Sequence, residues 1–532
     1  MLASQTNGSV AEALADTIFA TGVRIAFGHP GGEVVLLIDA LRRRGIRFLL
    51  THHETPAAFM ALGHGDLTGI PGVCISTLGP GATNLVTGVA SALLERAPVV
   101  ALTGALSTAA PAGTSHQLLD LNALYAPVTK LSREVTAKNA HEAIRTAIRA
   151  AQEPRRGSVH LSIPSDVAGS TAGGPGRDPT PRNPTAAPDT AALARARSIL
   201  GAASRPAIIV GLGAVQAGAA GAVRSIAHAL NAPVATLPKA KGAFSEDDPL
   251  YVGALEMAGD DLVVEFLSAA DALVLVGVDP VEFDKPWRLS APVLYIDEVP
   301  NIDGYYPAEV ELVGDISAVL TALGEGARRS GWDGRATQQQ RVRVRAHIRT
   351  DGARLQPRDV VDAVRAALPR SAIATSDVGA HKMLVGQAWT SFEPRSFFMA
   401  NGLSSMGYSI PVAATARLIH PDRPVVAFVG DGGLAMYLGE LETLVRADLD
   451  LLIVAFADRS LELIRRAQLR REVPVDGVSF SNPDFPSLGR AFGIQSVEVA
   501  SAQELGRELP RLLGGRGVKL LAAAIDGDDY RF

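Results

Sequence analysis

The sequence predicts an α/β protein made of three open parallel-sheet domains in series, and three observations support this prediction. Short apolar runs of strand length alternate with amphipathic stretches of helix length, which is the pattern of repeated βαβ units. Two stretches that keep neither period interrupt the alternation. The chain has 532 residues, and a domain usually takes about 100 to 200 residues, so the length suits about three domains.

The predicted N-terminal domain covers residues 1–168, the central domain 190–323 and the C-terminal domain 357–532. The stretch 169–189 separates the first two domains; it contains five prolines and four glycines and is typical of a linker. The stretch 324–351 is polar and helix-permissive, which suits a solvated connector. The predicted strands are 25–27, 48–50, 73–76, 99–102, 159–162, 207–210, 234–236, 272–276, 293–296, 372–375, 425–429, 451–455 and 520–525.

Composition and charge favour a small-molecule partner. The net charge of −5 and the pI near 6.2 provide no general basic field for a nucleic-acid backbone or an anionic membrane. Cys74 is the only cysteine and lies in an apolar run, so a buried packing thiol is expected there. The N-terminus has no basic start followed by an apolar stretch, and no window reaches the length of a membrane span. These features favour a cytoplasmic protein.

The strongest local motif is a glycine-flanked acid, Asp431, directly after the predicted strand 425–429. Gly430, Gly432 and Gly433 allow backbone N–H groups to approach a phosphate, and the helix predicted at 434–446 adds a favourable dipole. The carboxylate would repel that anion unless a cation such as Mg²⁺ lay between them. Asp458 follows the next predicted strand. The alternative is that Gly-Asp-Gly is only a turn and that Asp458 is an ordinary loop acid.

Together with residues 376–381 and 401–408, this motif resembles the cofactor-binding motif of thiamine diphosphate (ThDP) enzymes. The resemblance implies that Asp431, the side chain of Asp458 and the carbonyl of Ser460 bind Mg²⁺. Where the family usually has Asn, this chain has Ala457, but the ligand position beside it is an acid.

The resemblance also assigns residues to the cofactor itself. It implies that Met406 lies beneath ThDP, that the Ser404 carbonyl accepts from its 4′-amino group, and that His381 approaches the diphosphate. Glu54 corresponds to the acid that hydrogen-bonds the aminopyrimidine ring and activates the cofactor. Taken alone, a Glu after a strand is more often a solvated acid or a helix N-terminal charge. Gly79 matches a tight turn near the cofactor, although it could serve the turn alone.

Three further residues are candidates at the substrate end. His116 and Gln117 resemble a polar pair of acetolactate synthases that contacts the donor or the acceptor; the alternative is that both are loop surface residues. His29 departs from acetolactate synthases, which usually carry an apolar residue or a tyrosine there. A titratable group at that position could relay protons or change the acceptor preference.

The likeness covers nearly the whole chain and is greatest to the catabolic, FAD-independent acetolactate synthases. It implies decarboxylation of a 2-oxo acid, pyruvate being favoured, and transfer of the two-carbon unit to a second carbonyl compound. FAD is not expected, and Gly211-Leu212-Gly213 is interpreted as a packing turn because the rest of a dinucleotide motif is missing.

The resemblance implies a homodimer or homotetramer, since the family places ThDP between two chains. Two alternatives remain open. One is a ThDP-dependent decarboxylase or acyloin enzyme with another substrate, and the other is a non-catalytic ThDP-binding subunit.

Overall fold

The protein is described by a computed structural model that covers residues 8–174, 189–302, 304–350, 352 and 354–531. These residues form two compact units. The first contains the described residues of Met1–Arg182 with Gly402–His420 and Tyr437–Leu449, and the second contains those of Asn183–Asn401 with Pro421–Met436 and Asp450–Phe532. Most of the predicted linker 169–189 lies outside the described residues.

Each strand is short, as expected for α/β units. The strands are β1 Ile25–His29, β2 Arg47–Leu50, β3 Gly72–Ser76, β4 Val99–Ala105, β5 Ser132–Glu134, β6 Ser158–Pro164, β7 Pro206–Val210, β8 Val234–Thr236, β9 Tyr251–Ala254, β10 Ala272–Val276, β11 Val293–Asp297, β12 Val310–Val313, β13 Ile373–Ser376, β14 Phe397–Met399, β15 Val425–Gly430, β16 Leu451–Ala457, β17 Gln495–Val499 and β18 Val518–Ala524. The α-helices are α1 Val10–Ala20, α2 Val35–Arg43, α3 Glu54–Thr68, α4 Pro80–Leu94, α5 Leu121–Tyr125, α6 Ala140–Gln152, α7 Ser165–Ala168, α8 Thr190–Ala202, α9 Leu212–Gln216, α10 Ala220–Leu230, α11 Asp260–Leu267, α12 Ile316–Gly324, α13 Gly334–His347, α14 Pro357–Ala367, α15 Ala380–Ala388, α16 Ser409–Ile419, α17 Asp431–Met436, α18 Glu440–Arg446, α19 Glu462–Arg470, α20 Phe485–Phe492 and α21 Ala502–Leu513.

The strands form three six-stranded sheets in which every pair is parallel. The orders are β2-β1-β3-β4-β6-β5, β12-β11-β10-β7-β8-β9 and β14-β13-β15-β16-β18-β17. This confirms the predicted fold class. In each sheet the chain crosses from one side of its first strand to the other, between β1 and β3, between β7 and β10, and between β13 and β15; the first and third sheets reverse once more at their last two strands. Ligands of open parallel sheets bind in the crevice outside the carboxyl ends of the strands at such a switch point.

Helix α3 is the most enclosed helix of the first unit, because α16 packs along it. A Cβ at Gly63 would lie 3.2 Å from Val412 Cγ1, so the glycine lets the two helices approach closely. The Thr415 hydroxyl donates to the carbonyl of Met60 at 3.1 Å. In strand β3, Cys74 is fully buried, and burial raises the pKa of its thiol. A packing role for Cys74 is therefore confirmed.

Two sequence predictions differ from the structure. The single helix predicted at 434–446 is two helices, α17 and α18, separated by a turn at 437–439. Gly439 in this turn lies against His52, where a Cβ would come within 3.2 Å of His52 Cβ. The predicted solvated connector contains helix α13, which packs on the protein through buried Gln340 and Val344. None of the helices in the described part of the chain is long and apolar enough to cross a membrane.

Candidate functional site

Glu54 is the first residue of helix α3, just after the turn that leaves strand β2. Its side chain is 6% exposed, and Asn84 Nδ2 donates to Glu54 Oε2 at 3.0 Å. The Thr55 hydroxyl donates to the Asn84 carbonyl at 2.6 Å, which ties the starts of α3 and α4 together. Glu54 is therefore a helix N-terminal charge, but it is buried and oriented instead of solvated.

Gly79 and Gln117 lie with Glu54 at the carboxyl ends of the strands of the N-terminal sheet. Gly79 has a φ of +60°, a conformation that favours glycine, and a Cβ there would lie 3.0 Å from Gln117 Cβ. Two residues later, a Cβ at Gly81 would lie 3.1 Å from Glu54 Oε1. The structure thus brings three of the predicted residues together around this turn.

His29 ends strand β1 at the switch point, where it pairs with Ser76 of β3. Its Nδ1 is 2.8 Å from the Thr51 carbonyl oxygen. Because a carbonyl only accepts, Nδ1 carries the proton, and Nε2 is the accepting nitrogen of the neutral ring. His116 lies on an exposed segment between β4 and α5.

Ser404 and Met406 lie in the loop between strand β14 and helix α16. Ser404 has a φ of +52°, an uncommon conformation for a residue other than glycine. Gly407 has a φ of +87°, and a Cβ there would lie 2.2 Å from the Tyr437 ring. The Tyr437 ring therefore leaves no room for a side chain at this point of the loop.

The C-terminal sheet places His381 against the end of strand β15. A Cβ at Gly430 would lie 3.2 Å from His381 Cε1. Burial, with a smaller effect from Lys382, lowers the pKa of His381 to about 3, so the ring is neutral. Among the described residues, His381 Nε2 has no hydrogen-bond partner. A buried polar atom without a partner is costly, so Nε2 is suited to a hydrogen bond with a bound ligand.

Gly433 lets the Asp377 side chain approach the backbone closely, just beyond the end of strand β15. A Cβ at Gly433 would lie 2.1 Å from Asp377 Oδ2. At the start of helix α17, the Gly432 N–H donates to Asp431 Oδ1 at 2.8 Å. The glycines around Asp431 therefore serve tight packing here as well as any ligand.

Asp431 is 5% exposed and belongs to a pair of acids at the ends of β15 and β16. Its Oδ2 accepts from the Arg459 N–H at 2.7 Å and from Asn482 Nδ2 at 2.8 Å. Burial raises the pKa of Asp431. Burial, followed by the negative charge of Asp431, raises the pKa of Asp458 to about 7. This edge therefore disfavours two carboxylate charges unless a cation compensates them.

The remaining predicted Mg²⁺ ligand is the Ser460 carbonyl. Ser460 pairs with Ser479 through two hydrogen bonds, from the Leu461 N–H to the Val478 carbonyl and from the Phe480 N–H to the Arg459 carbonyl. Neither bond uses the Ser460 carbonyl. Two carboxylates and a carbonyl are hard oxygen donors, which suit a divalent cation such as Mg²⁺. The part of the chain that the structure describes has no cluster of three or more His, Cys, Asp or Glu side chains suited to a metal, so a cation here needs backbone or ligand oxygens.

Sequence reasoning missed Asn482 and Glu440. Asn482 orients Asp431 from 51 residues away, and its Asn-Pro-Asp context predicts a turn but no partner. Glu440 is 1% exposed, and its Oε1 accepts from the N–H groups of His52 at 2.9 Å and His53 at 3.1 Å. These amides directly precede Glu54 in the chain, and nothing local in the sequence links them to Glu440.

Arg465 and Arg466 lie on helix α19, shortly after Asp458 in the chain. Both pair with the buried side chain of Glu462, at 2.6 Å and 2.7 Å. Arg466 also donates to the carbonyl of Gly527 at 2.7 Å. They therefore hold helix α19 to the C-terminal segment.

In the central sheet, the switch point is filled by a carboxylate of the chain itself. Glu282 Oε2 accepts from the Leu212 N–H at 2.8 Å, at the start of helix α9, and the Gly213 N–H donates to the Gly277 carbonyl at 2.7 Å. Glu282 is fully buried, and burial raises its pKa to about 8. This arrangement agrees with the interpretation of Gly211-Leu212-Gly213 as a packing turn.

We expect Glu282→Gln to stabilise the protein above neutral pH. The folded state keeps the Glu282 proton up to a pKa of about 8, whereas an unfolded Glu loses it near 4.3. Stability from this group is therefore greatest at low pH and falls as the pH rises through this window. Gln keeps the acceptor for Leu212 and removes the charge, so the variant should lose less stability than the wild type as the pH rises through this window.

The measurement is the melting temperature of both proteins from pH 5 to pH 9. The melting temperature of Glu282→Gln should fall less with rising pH than that of the wild type. The exposed control Glu265→Gln should follow the wild type. Parallel curves for Glu282→Gln and the wild type would contradict the raised pKa.

Three family models match the chain in order. The N-terminal thiamine pyrophosphate (TPP) binding domain of TPP enzymes matches residues 8–124, their central domain matches 193–323, and their C-terminal TPP binding domain matches 377–523. Thiamine pyrophosphate is another name for ThDP. The first and last matches contain Glu54 and the Asp431–Asp458 pair.

Full-length relatives agree with the family models. The chain is 31% identical to the acetolactate synthase of Bacillus subtilis, over 98% of this chain and 93% of that protein. It is 33% identical to the catabolic acetolactate synthase of Raoultella terrigena, over 98% and 95%. It is also 32% identical to a probable 2-ketoarginine decarboxylase, AruI, of Pseudomonas aeruginosa, over 94% and 91%.

Proposed function

The chain belongs to the thiamine pyrophosphate enzymes, and on that premise we propose that it decarboxylates pyruvate and joins the two-carbon unit to a second pyruvate, giving 2-acetolactate. Its similarity to acetolactate synthases over nearly the full chain supports this reaction. The observation that carries the proposal is the buried Glu54 carboxylate, held by Asn84 at the start of α3.

In this proposal Glu54 hydrogen-bonds the aminopyrimidine ring of ThDP. Bound ThDP supplies an electron sink that permits loss of CO₂ from a 2-oxo acid. Glu54 Oε2 is fixed by Asn84, and Gly81 keeps the space beside Oε1 free of a side chain. His381 and the glycines beside Asp431 bind the diphosphate, and Ser404 and Met406 contact the organic part of the cofactor.

Asp431, Asp458 and the Ser460 carbonyl would bind Mg²⁺ between the protein and the diphosphate. The raised pKa values of both acids support this role, because a cation favours their ionised forms. Asn482 and the Arg459 N–H orient Asp431. FAD is not part of the proposal, since the Glu282 carboxylate occupies the Leu212 N–H at the central switch point.

The minimal active unit in this proposal is a homodimer, with Glu54 from one chain and Asp431 and Asp458 from the other. Exposed apolar side chains on the N-terminal unit support a subunit interface: Val35 is 54% exposed and Leu118 56%. Light scattering of the active protein distinguishes this homodimer from a homotetramer.

The experiment that tests the proposed function is product analysis with purified protein, ThDP, Mg²⁺ and pyruvate. We expect CO₂ and 2-acetolactate in a 1:1 ratio, because each turnover releases one CO₂ from two pyruvates. Acetaldehyde as the main product would contradict carboligation. No turnover despite bound ThDP would direct the search to other 2-oxo acids.

A second candidate function is decarboxylation or acyloin chemistry with a different 2-oxo acid. His29 at the switch point of the N-terminal sheet favours it, as does the similarity to a probable 2-ketoarginine decarboxylase. A non-catalytic ThDP-binding subunit is disfavoured, since it would have no need for a buried, oriented Glu54.

We expect His29→Ala to lower turnover at least about tenfold or to change the ratio of acetolactate to aldehyde, because Nε2 can exchange a proton with a reacting oxygen. The measurement is a product assay by chromatography, with His141→Ala on helix α6 as the control. Unchanged turnover and unchanged products would remove His29 from the site.

A further inference from the structure

A pocket of about 520 Å³ lies between helices α13 and α14, outside the site described above. We call it the arginine pocket; its lining residues are Val342, Arg345, Ala346, Arg349, Arg358 and Asp362. Arg345 Nη1 donates to the Thr390 hydroxyl at 3.2 Å, just beyond the last residue of helix α15. His381 lies in the first turn of that helix. The arginine pocket and the predicted diphosphate contact therefore lie at opposite ends of α15.

The positive charges of the arginine pocket exceed the negative charge available to them. Asp362 is the one acid in its lining, and it is shared: Arg358 Nε lies 2.8 Å from Asp362 Oδ2, Arg345 Nη2 3.3 Å from Oδ1, and Arg349 Nη2 4.0 Å from Oδ2. Asp359 contacts only Arg349 among these arginines, at 3.3 Å. An anion in the pocket would balance the excess.

A buried N–H donor of Arg358 also indicates a ligand in the arginine pocket. Its side chain is 4% exposed, and its Nη1 has no hydrogen-bond partner among the residues that the structure describes. A buried guanidinium N–H without an acceptor is costly. The neighbouring Arg345 is affected too, since burial, together with the charge of Arg358, lowers its pKa.

We propose that the arginine pocket binds a phosphate group, either as inorganic phosphate or as a phosphate monoester. Guanidinium groups donate paired N–H bonds that match phosphate oxygens, and three of them converge here. The volume exceeds that of a bare phosphate ion and falls in the range of small-molecule sites, so it leaves room for the organic part of an ester.

The test is calorimetric titration of the holoenzyme, saturated with ThDP and Mg²⁺ so that the cofactor's own diphosphate site is filled. The probes are inorganic phosphate and adenosine 5′-monophosphate at constant ionic strength. We expect a Kd below about 1 mM for at least one probe. Tighter binding of the monoester would identify an ester site, and equal or tighter binding of phosphate would identify a phosphate site.

Arg345→Gln and Arg349→Gln should each weaken binding at least tenfold. The control Arg343→Gln changes an exposed arginine on the same helix, which pairs with Glu265, and should bind as the wild type does. Absence of binding of both probes at 10 mM, or equal binding by the two pocket variants and the wild type, would overturn the proposal.

An independent observation concerns the turn that precedes Glu54, and it rests on the proposed function. Glu440 Oε1 accepts both the His52 and the His53 N–H groups, and Glu440 Oε2 accepts the Thr443 hydroxyl at 2.8 Å. Helix α18 reinforces the contact, since Arg446 Nη2 donates to the Leu50 carbonyl at 2.7 Å.

We infer that Glu440 is a positioning residue for Glu54. Both N–H groups donate to the same oxygen of a buried carboxyl group, and these two hydrogen bonds fix the backbone one and two residues before Glu54. Loss of the carboxylate would free this turn and let the Glu54 side chain leave its place beside Asn84.

The test compares Glu440→Ala and Glu440→Gln with the exposed control Glu442→Gln, which contacts only the His52 ring in this turn. The first readout is amide hydrogen exchange of residues 50–55 in the cofactor-free protein. The second is the rate of C2 proton exchange of ThDP at saturating cofactor. In Glu440→Ala the amide exchange rate should rise at least tenfold and the C2 exchange rate should fall at least tenfold. In Glu440→Gln, whose amide oxygen can accept from both N–H groups, both rates should stay within threefold of the wild type.

Wild-type values of both readouts in Glu440→Ala would overturn this inference. If Glu440→Ala does not fold, Glu440→Asp replaces it, because its shorter side chain cannot reach the two amides. Absence of C2 exchange in the wild type would reject the proposed function, and the amide exchange would still show whether Glu440 holds the turn.

Discussion

Glu54→Gln is expected to lower turnover of 2-oxo acids at least about 100-fold, because general acid–base groups contribute about 10² to 10⁴-fold to enzymatic rates. Gln keeps the size of the side chain and can still bond Asn84, but it cannot hold a proton or a negative charge at the ring of the cofactor. The protein should therefore stay folded and bind ThDP within a few-fold of the wild type.

The measurement pairs C2 proton exchange of bound ThDP with the ThDP dissociation constant. Exchange should slow together with turnover in Glu54→Gln, and the exposed control Glu134→Gln should match the wild type in both. A Glu54→Gln variant with undiminished C2 exchange would show that another group activates the cofactor.

Asp431→Asn is expected to raise the Kd of ThDP at least about tenfold at 1 mM Mg²⁺, in keeping with the effect of losing groups at a metal site. The change removes a charge that Mg²⁺ requires, and it places a side-chain amide where the Arg459 N–H and Asn482 now donate. Raising the Mg²⁺ concentration should restore part of the affinity.

This effect is measured by ThDP titration at several Mg²⁺ concentrations, with Asp476→Asn, an exposed loop acid of the same unit, as the control. If Asp431→Asn bound ThDP with wild-type affinity and wild-type Mg²⁺ dependence, the proposed metal site would be wrong.

The positions of Asp431 and Asp458 could be predicted from the sequence because each follows a short apolar strand, whereas the role of Glu54 was predicted from the resemblance to ThDP enzymes. A parallel strand buried on both faces leaves a continuous apolar run, and the carboxyl ends of such strands are where ligands bind. Strand β5 has only three residues, all of them polar and partly or fully exposed, so it leaves no such run and was not predicted.

The contacts that orient these acids could not be predicted in the same way. Asn482 and Glu440 act through hydrogen bonds that span 51 and 388 residues, and such partners depend on tertiary packing. The break between α17 and α18 has the same origin, because the close contact of Gly439 with His52 is a tertiary one.

Cys74 has a practical consequence for experiments on this protein. It is the only cysteine of the chain, it is fully buried in β3, and burial keeps its thiol protonated. Maleimide and iodoacetamide reagents should therefore leave the folded wild type unlabelled. A single cysteine introduced at the surface, for example in place of Val342 beside the arginine pocket, would be the sole reactive thiol, so a fluorophore or spin label can be attached there without first removing a native cysteine.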